Sequence, residues 1–363
     1  MSFGVKKMRI QGFKSLRDID LDLGSLNVFI GANGSGKSNL IGVFTLLNRI
    51  VEQGLQEYVG RVGGAETILF MGSKQTPAIE LDFSFGENGY HCQLLATLKD
   101  RLSITEQCFY YGHGPDKRPF DVQLAQSQPE STIVDVARMG KERVVKYVLA
   151  AMQSWVVYHF HDTSDSALVK KTHNINDNGY LRPDARNLAA YLYLLRERSP
   201  DSYANIRDAI RMVAPFFDDF VLHPAPESAG TIRLEWRQKG TDMYMDANSL
   251  SDGTLRFMCL ATLLLQPQLP ATILLDEPEL GLHPYAIDIL GSLLRSASTR
   301  TQVIVATQSV TLIDHFEVGN IIVADRKDQE STFTRPDAAA LAAWLKDYSL
   351  GELWEKNVLG GRP

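Results

Sequence analysis

The chain reads as an α/β protein. It predicts a largely parallel sheet assembled from both ends of the sequence, with a central mixed, mostly helical insertion. Two observations lead there. Near the start, the apolar run Leu26-Asn27-Val28-Phe29-Ile30 is followed by a glycine-rich loop and then by helical spacing over residues 40–50. Much later, residues 272–275 form a short run that is apolar after Thr272, as expected of a strand covered on both faces, and residues 302–306 read as another core strand.

The elements follow in order. Residues 7–13 and 19–23 alternate apolar and polar and predict a pair of strands. Residues 79–83, 90–98 and 101–110 predict antiparallel strands, and 111–129, rich in Gly, Pro, Asp and Gln, predicts loop. Residues 141–153 turn helical, 155–160 form a strand-like interruption, and 187–198 and 202–213 are helices separated at Pro200. Strand patterns return at 220–222, 231–236 and 243–245. A buried helix over 253–265, a helix over 285–294 opened by Pro284, a closing strand at 321–323 and a tail helix over 336–347 complete the chain. The organisation expected is 1–100 as an N-terminal lobe, 101–230 as the insertion, 231–330 as a C-terminal lobe and 331–363 as a helical tail.

Composition is that of a folded globular protein, with 44% hydrophobic and 22% charged residues. No apolar run reaches spanning length, and the start lacks a signal-peptide core. Cys92, Cys108 and Cys259 have no metal-type spacing, which predicts a reducing, cytoplasmic setting. A net charge of −6 confines any DNA contact to a local patch such as Arg138, Lys141, Arg143 and Lys146, or Lys170 and Lys171.

Residues 31–38, Gly31-Ala32-Asn33-Gly34-Ser35-Gly36-Lys37-Ser38, fit G-x-x-x-x-G-K-[ST] at every fixed position. Between a strand and a helix, this is a phosphate-binding P-loop. Glycines let successive N–H groups converge on one anion, and the new helix adds its positive end. Lys37 reaches the β- and γ-phosphates of ATP, the Ser38 hydroxyl ligates Mg²⁺, and Asn39 continues the loop.

A second constellation is Ile273-Leu274-Leu275-Asp276-Glu277-Pro278-Glu279. Three apolar residues carry Asp276 to a strand's carboxyl end, where it can hold Mg²⁺ opposite Ser38. Glu277 can then polarise the attacking water.

Residues 250–255, Leu-Ser-Asp-Gly-Thr-Leu, resemble the LSGGQ signature of ABC-type ATPases, departing at Asp252 and Thr254; the competing reading is an N-cap serine. Residues 279–284 look like the D-loop of that family. Gln308, after the 302–306 strand, stands where the family usually has a switch histidine. Glutamine hydrogen-bonds a γ-phosphate or water but cannot carry an imidazolium charge.

These five motifs, in this order, resemble the RecF/SMC/OLD branch of ABC-type ATPases. The opening Met8-Arg9-Ile10-Gln11-Gly12-Phe13-Lys14-Ser15-Leu16 is similar to the start of that branch, and residues 184–188 and 348–354 resemble its single-domain bacterial ATPases. The resemblance covers both sheet halves and the tail. It implies a P-loop NTPase fold with an ABC-type head, and a head-to-tail homodimer in which Ser251 and Gly253 cap the ATP held by the other subunit. It also implies a role in DNA repair or antiphage defence. Long coiled-coil arms and a TOPRIM domain are missing from the sequence, which implies a separately encoded effector such as a nuclease. A non-hydrolysing ATP switch and a transporter nucleotide-binding subunit are the alternatives.

Other features carry less weight. His159, His161 and Asp162 lack further metal ligands nearby. Gln75 is the nearest Q-loop candidate, and Trp344 and Trp354 read as packing anchors.

Overall fold

The computed structural model describes residues 3–111, 120–224 and 228–362. β1 (Lys7–Phe13) and β2 (Leu16–Asp22) form the expected hairpin. β3 (Leu26–Ile30) runs through the glycine-rich loop into α1 (Lys37–Val51) and the short α2 (Leu55–Arg61). β4 (Ala78–Phe85), β5 (Asn88–Ala96), β6 (Leu102–Tyr110) and β7 (Phe120–Gln128) extend the hairpin into a six-stranded antiparallel sheet, order β2-β1-β4-β5-β6-β7.

α3 (Ile133–Met139) and α4 (Arg143–Gln153) lead to β8 (Trp155–Tyr158). β9 (His173–Asn174), α5 (Leu188–Arg198) and α6 (Pro200–Val213) follow. Next come β10 (Phe217–Val221), β11 (Thr231–Ile232), β12 (Glu235–Gln238), β13 (Tyr244–Asp246) and α7 (Asp252–Leu265). The remainder is β14 (Thr272–Asp276), α8 (Pro284–Ser298), β15 (Gln302–Thr307), α9 (Val310–Ile313), β16 (Ile321–Lys327), β17 (Glu330–Thr334), α10 (Ala338–Leu341) and α11 (Leu350–Glu355).

The central sheet has the order β17-β16-β3-β15-β14-β8, parallel except for β17. Alternation along its strands sends side chains to two separate cores. Val28, Ile273, Leu275, Val303 and Val305 pack with residues of α5 to α8. Phe29, Leu274, Ile304, Trp155 and Val157 face α1, α4 and the antiparallel sheet. On that second side Phe44 of α1 meets Phe83 and Trp155 edge-on, at centroid distances of 5.6 and 6.1 Å. Burying each such ring stabilises the fold by about 1.5–3 kcal/mol, which fixes α1 and therefore the loop that starts it.

Several expectations shift. Residues 120–128, read as loop, are the edge strand β7, while residues 112–119 lie outside the described residues. β7 is polar, with Ala125 its buried residue, so its pairing with β6 is set by the neighbouring strand rather than by apolar pattern. Strand pairing runs across the boundary expected at 100/101, and β8, placed in the insertion, is an edge strand of the central sheet. The 321–323 strand does not close that sheet; it lies beside β3, and β17 forms the edge. The 336–347 helix is broken into α10 and a single 3₁₀ turn at Trp344–Lys346. Trp354 is buried, whereas Trp344 is exposed against Tyr348.

Candidate functional site

The carboxyl ends of β3, β15, β14 and β8 lie in a row, which is where ligands bind in open parallel sheets. At the first of these the P-loop wraps the start of α1. Gly36 has φ +106, and a Cβ there would stand 2.1 Å from Ser331 Oγ, so another residue would push the loop off β17. Ser331 Oγ in turn shares a 2.7 Å hydrogen bond with Ser15 Oγ, which also accepts from Asn39 Nδ2 at 2.8 Å. The Lys14–Ser15 turn between β1 and β2 thus supports the helix start.

Lys37 is buried, and its Nζ donates to the carbonyls of Gly31 (2.6 Å) and Ala32 (2.9 Å). Burial lowers its pKa, opposed by the charges of Glu277, Asp276 and Glu279. Lysine and acids therefore share one field across three strands. Ser38, Asn33 and Gly34 are exposed, while Ser35 Oγ is buried without a hydrogen-bond partner.

Asp276 ends β14, and by alternation it shares the α1 side with Leu274. Its Oδ1 is buried and has no hydrogen-bond partner. A hard cation bound by oxygen ligands is the chemistry that such an orphaned carboxylate oxygen suits, and the exposed Ser38 hydroxyl is the matching donor from the P-loop. Glu277 takes φ +43, a strained conformation for a non-glycine residue, and its N–H donates to Ala306 O at 2.8 Å. Strain of this kind persists where the surroundings dictate a side chain's direction. Glu279 accepts from Thr307 Oγ1 and from the Gln308 N–H at 3.2 Å, and burial raises its pKa. That carboxylate ties the acid loop to the switch position. The sequence reading gave it no role beyond opening the D-loop, although Glu279 sits three residues after Asp276.

At the signature, the capping reading holds as geometry. Ser251 Oγ accepts from Thr254 N at 3.2 Å and lies 2.8 Å from Thr254 Oγ1, so one of the two departures from LSGGQ helps to fix the serine. Ser251 and Asp252 are nevertheless exposed. A Cβ at Gly253 would stand 2.4 Å from Gly281 O, so α7 begins flat against the D-loop backbone. Arg256, one turn on, is buried and donates to Phe160 O (3.0 Å), His161 O (3.0 Å) and Leu280 O. It pins the signature helix, the D-loop and the exit of β8 together, a function the sequence reading missed.

The histidines also find a place. Leu275 pairs with Tyr158, so His159 follows β8 as Asp276 ends β14, and alternation puts both on the α1 side. Burial lowers the His159 pKa, with His161 adding to the drop and Asp276 opposing it. Gln75 lies elsewhere, in a cleft of about 660 Å³ at the β16–β17 turn with Gln11, Arg17, Met71 and Lys327, whose lining includes neither Asp276 nor Glu277. The segment that flanks the acids is therefore residues 159–162. Among the described residues no cluster of three or more His, Cys, Asp or Glu has metal-site geometry. In the basic patch Arg138, Lys141, Arg143 and Lys146 are exposed, but the Lys170 side chain is buried with its Nζ 4.0 Å from Asp165.

A split parallel sheet with P-loop, acid pair, signature-like helix start and the 279–284 loop along one edge has the fold of a P-loop ATPase head of the kind found in Smc proteins, and the protein is an ATPase. Comparison with known proteins agrees. Residues 140–314 match the family described as "AAA domain, putative AbiEii toxin, Type IV TA system", and residues 4–57 match the family "AAA ATPase domain". The fold is similar to that of an Smc head bound to the C-winged helix domain of ScpA, with TM-score 0.59 and 16% identity over 93% of this chain and 99% of that one. It is similar also to the Smc head with an extended coiled coil bound to the C-terminal domain of ScpA from Pyrococcus furiosus, with TM-score 0.53 and 15% identity over 94% and 98%. No curated protein matches the chain. Among the described residues no helix is long and apolar enough to cross a membrane.

Proposed function

We propose that the protein is an ATP-dependent dimerising clamp or sensor in antiphage defence or DNA repair, acting with a separately encoded effector. The observation that carries this reading is the spacing of its own site parts. β3 and β8 are three strand intervals apart, roughly 14 Å, and the exposed start of α7 is fastened beyond β8 through Arg256. This spacing supports a reading in which one chain's signature caps a nucleotide on a second copy arranged head to tail rather than its own.

In this reading residues 31–39 cradle the triphosphate of ATP, with Lys37 at the β- and γ-phosphates and Ser251 and Gly253 contributed by the partner copy. Ser38 and Asp276 hold Mg²⁺, which when bound neutralises phosphate charge. Glu277 orients and deprotonates the attacking water, and Gln308 hydrogen-bonds water or the γ-phosphate as a neutral group. ATP makes contacts that exist only in the closed dimer and so shifts the equilibrium toward it. The toxin–antitoxin description of the family matched by residues 140–314 supports the defence role. The ScpA domain bound to the Smc heads supports a protein partner here.

Steady-state phosphate release and light-scattering mass, measured on the wild type and on Glu277→Gln, test the reading. The variant should release phosphate about 100-fold more slowly and should accumulate ATP-dependent dimers. Nucleotide binding without phosphate release by either protein contradicts the hydrolytic role.

A further inference from the structure

The segment that follows α11 returns to the P-loop. Asn357, Gly360 and Gly361 have φ values of +58, +81 and +65, and this run of left-handed residues curls the chain back over the central sheet. Val358 and Leu359 pack partly buried against the core on the α5–α8 side. Gly361 is buried, and a Cβ there would stand 2.7 Å from Val323 Cγ1 and 2.9 Å from Ala324 O. Its carbonyl accepts a 3.1 Å hydrogen bond from the N–H of Ala32, the second residue of the P-loop.

The same patch of β16 meets the loop directly. Ala324 O is the atom a Cβ on Gly31 would strike at 2.2 Å, and Arg326 Nη1 donates to Gly34 O at 3.3 Å. The entry of the P-loop is thus held between β16 and residues 357–362.

We propose that residues 357–362 brace the P-loop, with Gly361 as a positioning residue that sets nucleotide affinity without touching the nucleotide. The proposal rests on reading residues 31–38 as the nucleotide site. A loop held in its binding curvature binds at full strength. One that adopts that curvature a tenth of the time binds about tenfold more weakly, because apparent affinity scales with the competent fraction.

The test compares the wild type with Gly361→Val, with removal of residues 360–363, with Lys37→Ala, and with Gly319→Ala as a control in open space. A fluorescent ATP analogue gives Kd, phosphate release gives KM and kcat, and thermal melting reports stability. Both tail variants should raise Kd and KM about tenfold while kcat stays within about twofold; Gly361→Val, which sets a side chain at φ +65 against Ala324 O, should also melt lower, whereas removal of 360–363 should leave the melting point close to wild type. Gly319→Ala should match the wild type. Wild-type Kd after removal of 360–363 overturns the brace whatever Gly361→Val does, and so does a lower melting point with unchanged KM. Lys37→Ala keeps the two ideas apart: its loss of binding alongside intact binding in the tail variants refutes only the brace, whereas wild-type binding by Lys37→Ala refutes the site reading itself.

Discussion

Removing the Asp276 carboxylate should stabilise the protein when no nucleotide is bound. Its Oδ1 is buried and unpartnered, and such an atom costs about 1–3 kcal/mol relative to one in water. Attraction between Asp276 and Lys37 offsets part of this, leaving an expected gain of up to about 2 kcal/mol for Asp276→Ala. At roughly 2–4 °C per kcal/mol this is a rise of up to about 8 °C in melting point. ATP–Mg²⁺ should reverse the order. A ligand at a hundred times its Kd stabilises the wild type by about 2.7 kcal/mol, and a variant lacking a cation ligand should gain little of that. Thermal melting in EDTA and again in saturating ATP–Mg²⁺ measures both halves. A variant that melts below the wild type in EDTA would refute the reasoning, because the carboxylate would then be satisfied by something in the protein itself.

Other substitutions follow from the same geometry. Gly253→Val forces a side chain into the carbonyl of Gly281, where even a Cβ would lie at 2.4 Å, and should abolish ATP-dependent association in sedimentation while leaving nucleotide binding near wild type. Arg256→Met removes donors to three carbonyls and should lower unfolding free energy by about 2–4 kcal/mol in urea titration. Glu279 is a pH probe. Burial raises its folded-state pKa, so the folded protein holds this proton more tightly than the unfolded chain does. Its contribution is therefore most favourable below the ordinary value of 4.5 and is lost as pH rises from there toward the raised value. Glu279→Gln should flatten that decline in denaturation midpoints collected across the range, and an unchanged slope would count against it.

What the sequence revealed divides along physical lines. The P-loop, the acids of β14 and the helix of the signature are local, because spacing and apolar pattern within a dozen residues determine them. Pairing across distance was not legible. Trp155–Tyr158 reads as a strand from its own residues, but nothing in them says that it pairs with Thr272–Leu275, and without that register His159 has no evident neighbour. The same gap hid Arg256, whose acceptors are backbone carbonyls at 160, 161 and 280. It also left Gln75 as the nearest Q-loop candidate, since nothing in the sequence shows that residues 159–162 lie beside Asp276. The brace at Gly361 was invisible for the same reason, since Gly-Gly near the end of a chain signals a turn and not its destination. Glu279 was legible in part: an acid three residues beyond Asp276 is visible, but its hold on residues 307 and 308 requires β14 and β15 side by side.

The most direct test mixes two inactive proteins. Lys37→Ala removes the P-loop cation, and Ser251→Arg blocks the signature surface. If each nucleotide lies between the P-loop of one copy and the signature of the other, a mixed dimer has one site with both lesions and one with neither. An equimolar mixture should then recover about a quarter of wild-type phosphate release from two proteins that have almost none alone. A mixture as inactive as its components, under conditions where the two proteins demonstrably associate, would contradict the two-copy site.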